Sequence, residues 1–196
     1  GTPRKLLEPG INPTWSPDGT KLLYHEPVDG DPMFVADANG ANPKKVFADQ
    51  PGMHCHHLTW SPDARYIYFS RGMPTANEMD LWRIPATGGQ PERLTHHRSK
   101  VGYPAFLDER TLLYVATAED GSGSWIYAID VERRTPRRVS AGLEQYHSVA
   151  ASTGAGGVRR LAATVSRTSG SLWTVPISEA AAAEPDVVRF PLATMR

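Results

Sequence analysis

Trp15-Ser16-Pro17-Asp18-Gly19 returns 45 residues later as Trp60-Ser61-Pro62-Asp63-Ala64. The corresponding places in the next two periods hold Phe106-Leu107-Asp108-Glu109-Arg110 and Ala151-Ser152-Thr153-Gly154, after further steps of 46 and 45 residues. The segment is a turn with a physical cause. Proline pre-sets φ, aspartate bonds its own backbone, and glycine accepts φ > 0. Each period has the same order on either side of it. A short strand enters the turn (residues 11–15 and 57–60), and an apolar strand leaves it (21–24, 65–69, 111–115, 160–164). A third strand follows (33–35, 80–84, 125–129, 171–175), then a shorter, more charged fourth (44–47, 92–95, 136–139, 187–190). β-Branched and aromatic residues fill these runs, and Gly, Pro, Asp and Asn separate them. Four strands in each period of about 45 residues predict an all-β chain, a β-propeller of four-stranded antiparallel blades. The blades fall at 10–48, 54–96, 100–140 and 145–191, preceded by an outer strand over 3–8. Five outer strands against four inner triplets favour a section of a larger ring. Four blades closing alone, or a homodimer of half-rings, is the alternative. Trp15 and Trp60 are expected between neighbouring blades, and Trp82, Trp125 and Trp173 in the core. The Ala-rich, acidic segment 178–185 reads as a loop or short helical turn.

Composition removes several classes of function. Lys+Arg and Asp+Glu both number 21 in 196 residues, so the formal charge is zero. A nucleic-acid binder needs a basic face to neutralise phosphates, and none is expected. Arg133, Arg134, Arg137 and Arg138 read as solvated ends of an outer hairpin. Cys55 is alone, so no internal disulfide is available. No apolar run reaches about 18 residues, so no membrane-spanning helix is predicted. The opening Gly-Thr-Pro-Arg-Lys lacks the apolar stretch of a signal peptide.

Trp15–Gly19, then Leu22-Leu23-Tyr24, then the segment 33–43, resemble the WD-like repeat of TolB and its relatives. The resemblance covers nearly the whole chain and fades in blade four, where 154–158 distort the turn. The chain is also similar to TolB-like propeller regions attached to bacterial sensor or kinase-type proteins. This resemblance implies a bacterial, non-catalytic binding module with protein or peptide partners. It further implies a periplasmic or other extracytoplasmic location. The N-terminal domain of TolB has no counterpart in this sequence. A sensory or structural segment of a larger protein is a further reading.

The histidines cluster ahead of the turns. His54, His56 and His57 flank Cys55, His96 and His97 precede blade three, and His147 precedes blade four, while His25 lies apart. His56 and His147 stand four residues before the Trp15-equivalent position. Asn12, His57, Tyr103 and Ser148 stand three before it. Equivalent positions on innermost strands converge on a propeller's channel. Asn12, His56, His57, Tyr103, His147 and Ser148 are therefore the candidate binding residues at its mouth. Converging imidazoles also suit a divalent transition metal, with His54, His56, His57, His97 and His147 as candidate ligands. The oligogalacturonate lyases, similar in fold type, hold a metal with histidines near the axis for sugar-acid cleavage. No catalytic residue carries over from them. No Gly-x-Ser-x-Gly elbow, P-loop, zincin helix or Cys-x-x-Cys pair occurs. Prolyl-peptidase propellers share the repeat, but their hydrolase domain is absent from this sequence. Asp29-Gly30-Asp31 and 37–40 lack the remaining ligands of a calcium loop and read as turns. The expectation is a binding module without a cofactor; the alternative is a metal-dependent, carbohydrate lyase-like enzyme.

Overall fold

The computed structural model describes residues 5–142, 144–167, 171–174 and 188–191. Three four-stranded antiparallel sheets follow one another, each with its strands paired in chain order. The first holds β1 (Ile11–Trp15), β2 (Lys21–His25), β3 (Met33–Asp37) and β4 (Lys44–Phe47). The second holds β5 (His54–Trp60), β6 (Tyr66–Met73), β7 (Glu78–Pro85) and β8 (Glu92–Arg93). The third holds β9 (Val101–Phe106), β10 (Thr111–Thr117), β11 (Ser124–Asp130) and β12 (Thr135–Arg138). β13 (Gln145–Thr153) pairs with β14 (Arg159–Ser166), and β15 (Ser171–Thr174) pairs with β16 (Val188–Pro191). Helical structure among the described residues is confined to two single 3-10 turns, Pro74–Ala76 and Ala155–Gly157.

The chain divides into two compact units, Gly1–Val165 and Ser166–Arg196. The first carries the three complete blades and the β13–β14 hairpin; the second carries the β15–β16 hairpin. The blade expected over 145–191 is thus present as two separately paired hairpins. The segment 178–185 lies outside the described residues. Within the first unit the innermost strands meet in the order β1, β5, β9, β13. Among the described residues of the first unit, β1 and β13 stand at the two ends of this order, and the propeller is not closed.

The repeated turn owes its shape to side-chain hydrogen bonds. The Ser16 hydroxyl donates to Asp18 at 2.5 Å and accepts the Lys21 amide at 2.9 Å, while Asp18 accepts the Thr20 amide at 3.1 Å. Ser61, Asp63, Tyr66 and Arg65 repeat these bonds at 2.6, 2.9 and 3.1 Å. Gly19 and Ala64 both stand at positive φ, 70° and 57°. In blade three the turn is one residue shorter. Leu107 closes on Thr111, and Asp108 takes over as acceptor for the Arg110 and Thr111 amides.

Three apolar clusters fill the spaces between blades. Leu23, Met33 and Val46 of blade one meet Cys55, Trp60, Ile67, Phe69 and Ile84 of blade two. Tyr68, Met79, Leu81 and Leu94 of blade two meet Val101, Leu112, Tyr114, Ala116 and Ile129 of blade three. Leu113, Val115, Ile126 and Ala128 of blade three meet Val149 of β13. The middle strands serve both neighbours because successive side chains leave a strand on opposite faces.

Trp60 and Trp15 share a repeat position but differ in burial. Trp60 is 6% exposed, and its indole nitrogen donates to the Thr14 carbonyl of blade one at 3.2 Å. Trp15 is 49% exposed, against the expectation that it packs between blades. The tryptophan packs onto the preceding blade, and none stands before blade one among the described residues. The outer strand expected over 3–8 is also absent at residues 5–8. A strand needs a partner ladder, and β4 already closes the outer edge of blade one. The segment instead passes close to blade one, with Gly10 against Tyr24 and Leu6 beside Gly40. Trp82 is half-buried and Trp125 is buried, as core residues should be, whereas the Trp173 side chain lies outside the described residues.

The link from blade one to blade two is fastened by Asp49. Its carboxylate receives Arg71 of β6 at 2.5 and 2.9 Å, and its amide donates to the Gly30 carbonyl at 2.9 Å. Gly30 stands at φ 80°, and a Cβ there would lie 2.4 Å from the Asp49 carbonyl oxygen, so only glycine fits.

Replacing Trp60 by alanine should cost about 3–5 kcal/mol. Trp15→Ala, at the same repeat position, should stay within about 1 kcal/mol. Urea denaturation of both variants checks this, and equal losses would contradict the stacking order.

Candidate functional site

All three complete blades distort their innermost strand at one place. Ile11 pairs with His25 and Thr14 with Leu23, so β1 spends one residue more than β2. The same surplus separates His56–Ser70 from Thr59–Tyr68, and Gly102–Val115 from Ala105–Leu113. These are β-bulges, which bend a strand and re-aim its side chains. Asn12, His57 and Tyr103 occupy them, with φ of 51°, 55° and 56°. Asparagine and histidine are among the residues that tolerate this left-handed conformation; a bulky tyrosine rarely does. Strain of this kind persists only where the surrounding structure imposes it, and it concentrates at functional sites. Ser148, the fourth equivalent, lies outside the left-handed region, and its hydroxyl bonds to Thr164 at 2.7 Å.

The bulge residues belong to a continuous row across three blades. The Asn12 amide donates to Nε2 of His25 at 3.0 Å. The His25 ring meets His56 edge-on at 6.2 Å, His56 lies 6.2 Å from His57, and His57 lies 4.1 Å from Tyr103. Tyr103 is 43% exposed. His57, Gly102, Tyr103, Tyr146 and His147 line a small cleft between blade three and β13. A Cβ at Gly102 would come within 2.9 Å of the His57 ring, so this glycine makes room for it.

At the blade-one end stands a second group. Asp31, in the loop after β2, is 5% exposed. Its Oδ2 accepts the Cys55 amide at 2.9 Å and Nδ1 of His54 at 3.0 Å, and Nε2 of His56 lies 3.9 Å away. The His54 and His56 rings stack at 5.4 Å with 9° between planes. As alternate residues of β5 they leave the strand on one face. His25, fully buried, turns Nδ1 toward Oδ1 of Asp31 at 3.9 Å, and that nitrogen has no hydrogen-bond partner.

The sequence candidates therefore separate. His54 and His56 come together with Asp31. His57 and His147 line the cleft with Tyr103. His97 is held elsewhere: Nε2 lies 2.8 Å from the Tyr114 hydroxyl, the ring sits 4.8 Å from Tyr127, and its amide donates to Asp80 at 2.7 Å. His25, read from sequence as lying apart, stands in the row between Asn12 and His56, and Asp31, read as turn chemistry, belongs to the group beside it. The signal for His25 is strand pairing: it sits opposite Ile11, next to the first bulge. A larger cleft beside the Trp-Ser-Pro-Asp turns, between blades one and two, brings no such group together; its Lys21 and Asp37 are paired at 2.8 Å.

Burial holds the rings of His25 and His56 neutral below the ordinary histidine range, although Asp31 opposes it. Burial, then His56 and Lys100, bring His57 down from 6.5 to about 4. The unfolded chain thus takes up this proton before the folded one. The stability contributed by the neutral ring is complete above pH 6.5 and is lost as the pH falls toward 4. In chelator-treated protein, a histidine NMR titration should find the His57 midpoint near pH 4, and His57→Asn should flatten the fall in stability across this window. A midpoint near 6.5 would contradict the burial of this ring.

No family model matches the chain. Among solved structures it is similar to a TolB-type protein of Agrobacterium tumefaciens, at 21% identity over 82% of this chain and 63% of that one, with a TM-score of 0.59. TolB of Acinetobacter baumannii aligns at 15% identity over 79% of this chain and 40% of that one, with a TM-score of 0.60. An oligogalacturonate lyase in complex with manganese aligns at 19% identity over 66% and 35%, with a TM-score of 0.50. At these identities the likeness establishes the fold, a TolB-like propeller. The chain spans less than two thirds of the length of either TolB protein.

Proposed function

We propose that the chain is a non-catalytic propeller module that docks a protein or peptide partner. The partner lies on the face carrying Asn12, His56, His57, Tyr103, His147 and Ser148, in an extracytoplasmic compartment of a bacterial cell. The observation that carries this reading is the row of bulge residues. Three blades spend strained backbone on presenting Asn12, His57 and Tyr103 at one register position. Rigid, half-exposed aromatic and imidazole side chains gain contact area at low entropic cost, the character of interface anchors. The cleft beside Tyr103 and His147 is narrow, suited to an inserted side chain of a partner. The resemblance to TolB points to partners of the same kind. Its cellular compartment is the basis for the extracytoplasmic placement. Among the described residues, no helix is long and apolar enough to cross a membrane.

A second reading, a metal-dependent enzyme acting on an acidic carbohydrate, draws on the Asp31, His54 and His56 group. Turnover of oligogalacturonate separates the two, since the docking reading expects none.

The decisive experiment pans a phage-displayed random peptide library on the immobilised protein and measures the selected peptide by fluorescence polarisation. His57→Asn combined with Tyr103→Asn should weaken it at least tenfold with the circular dichroism spectrum unchanged. Asparagine suits this substitution because Asn12 already occupies the same bulge in blade one. No enriched peptide, or unchanged affinity in the double variant, would remove this face from consideration.

A further inference from the structure

We propose that Asp31, His54 and His56 bind one divalent transition ion of the zinc class, clipping the loop after β2 in blade one to β5 of blade two. The donor set is one carboxylate and two imidazoles. One ligand atom from each residue falls in a group spanning no more than 4.8 Å. The edges of a tetrahedral zinc site with bonds of about 2.0–2.1 Å are about 3.3–3.5 Å. The 3.0 and 3.9 Å separations from Asp31 Oδ2 bracket that value, and the third edge, between the two imidazoles, is no longer than 4.8 Å.

Several features mark the group as a built site. A cavity adjoins it, lined by Ile11, His25, Pro27, Val28, Asp31 and both histidines. It leaves room for water as a further ligand. The Cys55 amide donates to the same Oδ2 at 2.9 Å and orients the carboxylate, as outer hydrogen bonds orient metal ligands. His25 supplies an independent observation. Its Nε2 accepts the Asn12 amide proton, so the ring proton sits on Nδ1. That N–H is fully buried, has no acceptor, and points at Asp31 Oδ1 from 3.9 Å. With Nε2 occupied by Asn12 and the proton on Nδ1, His25 borders the site without being a ligand.

Chemistry selects the ion. Imidazole donors favour Zn2+, Co2+ and Ni2+ over Ca2+ and Mg2+, which demand oxygen. Binding uses the Nδ1 lone pair of His54, so the single proton of the neutral ring is carried on Nε2. The ion would join two blades whose apolar interface is already complete, so it strengthens the junction rather than creating it. The site shares His56 with the proposed docking face, but peptide docking is tested through His57 and Tyr103, neither of which is a ligand here.

The test is calorimetric titration of the untagged, chelator-treated chain with ZnCl2, with Co2+ absorbance as a second probe of coordination. One equivalent of Zn2+ should bind, and Mg2+ and Ca2+ should not. His54→Gln and His56→Gln should each weaken Zn2+ at least tenfold, and His96→Gln, at an exposed histidine outside the group, should leave it unchanged. Thermal melting should shift upward with Zn2+ in the parent chain and not in His54→Gln. Both glutamine substitutions fall on partly exposed rings, so the folded state survives them. Absence of Zn2+ binding, or binding retained by the His54→Gln/His56→Gln chain, would overturn the proposal. Equal loss in His96→Gln would do the same, by revealing general surface-histidine adsorption.

Discussion

The middle strands of each blade are apolar on both faces, and the rest of the fold follows from that. Leu112, Tyr114 and Ala116 of β10 face blade two, while Leu113 and Val115 of the same strand face β13. On β6, Ile67 and Phe69 turn to blade one and Tyr68 turns to blade three. Strict alternation along a strand permits no other outcome once both sides are covered. Each sheet is then a slice of core that requires a neighbour on either side. Its stability, like that of other repeat arrays, resides mainly in the interfaces between units.

This constraint also explains where the molecule varies. Residues inside the stack are mostly apolar, with His25, Ser70, Asp80 and Arg83 as buried polar exceptions, so the repeat has most freedom at turns and on innermost-strand ends. The bulges exploit the second of these. By inserting one residue into β1, β5 and β9 they place Asn12, His57 and Tyr103 outside the regular ladder. The backbone cost, of order 1–3 kcal/mol for each left-handed residue, is offset by the fixed sheets on either side. A tyrosine in that conformation is the least comfortable of the three, and its ring finds the His57 ring at 4.1 Å.

Much of this was legible in the residues. The Trp-Ser-Pro-Asp period gives strand number, order and antiparallel pairing because its turn chemistry is local. The register of Asn12, His57 and Tyr103 three residues ahead of the tryptophan position was equally readable, since counting along a repeat is enough. The conformation at those positions was not, because a bulge is a property of two strands and appears only in their pairing. His25 and Asp31 escaped for a related reason. His25 belongs to β2 and gains its place through its partner Ile11, while Asp31 arrives from a loop fixed by Gly30 and Asp49. Trp15 shows the opposite limit. Repeat position fixed which face it occupies, but burial depends on whether another blade stands there.

His56 connects the two ends of the row. Its Nε2 faces Asp31 at 3.9 Å, and its ring contacts both His25 and His57. His57 in turn is confined by Gly102 and Tyr103. One residue of β5 thus borders the Asp31 group and its neighbour in sequence borders the cleft, because the bulge between them turns consecutive side chains toward different blades.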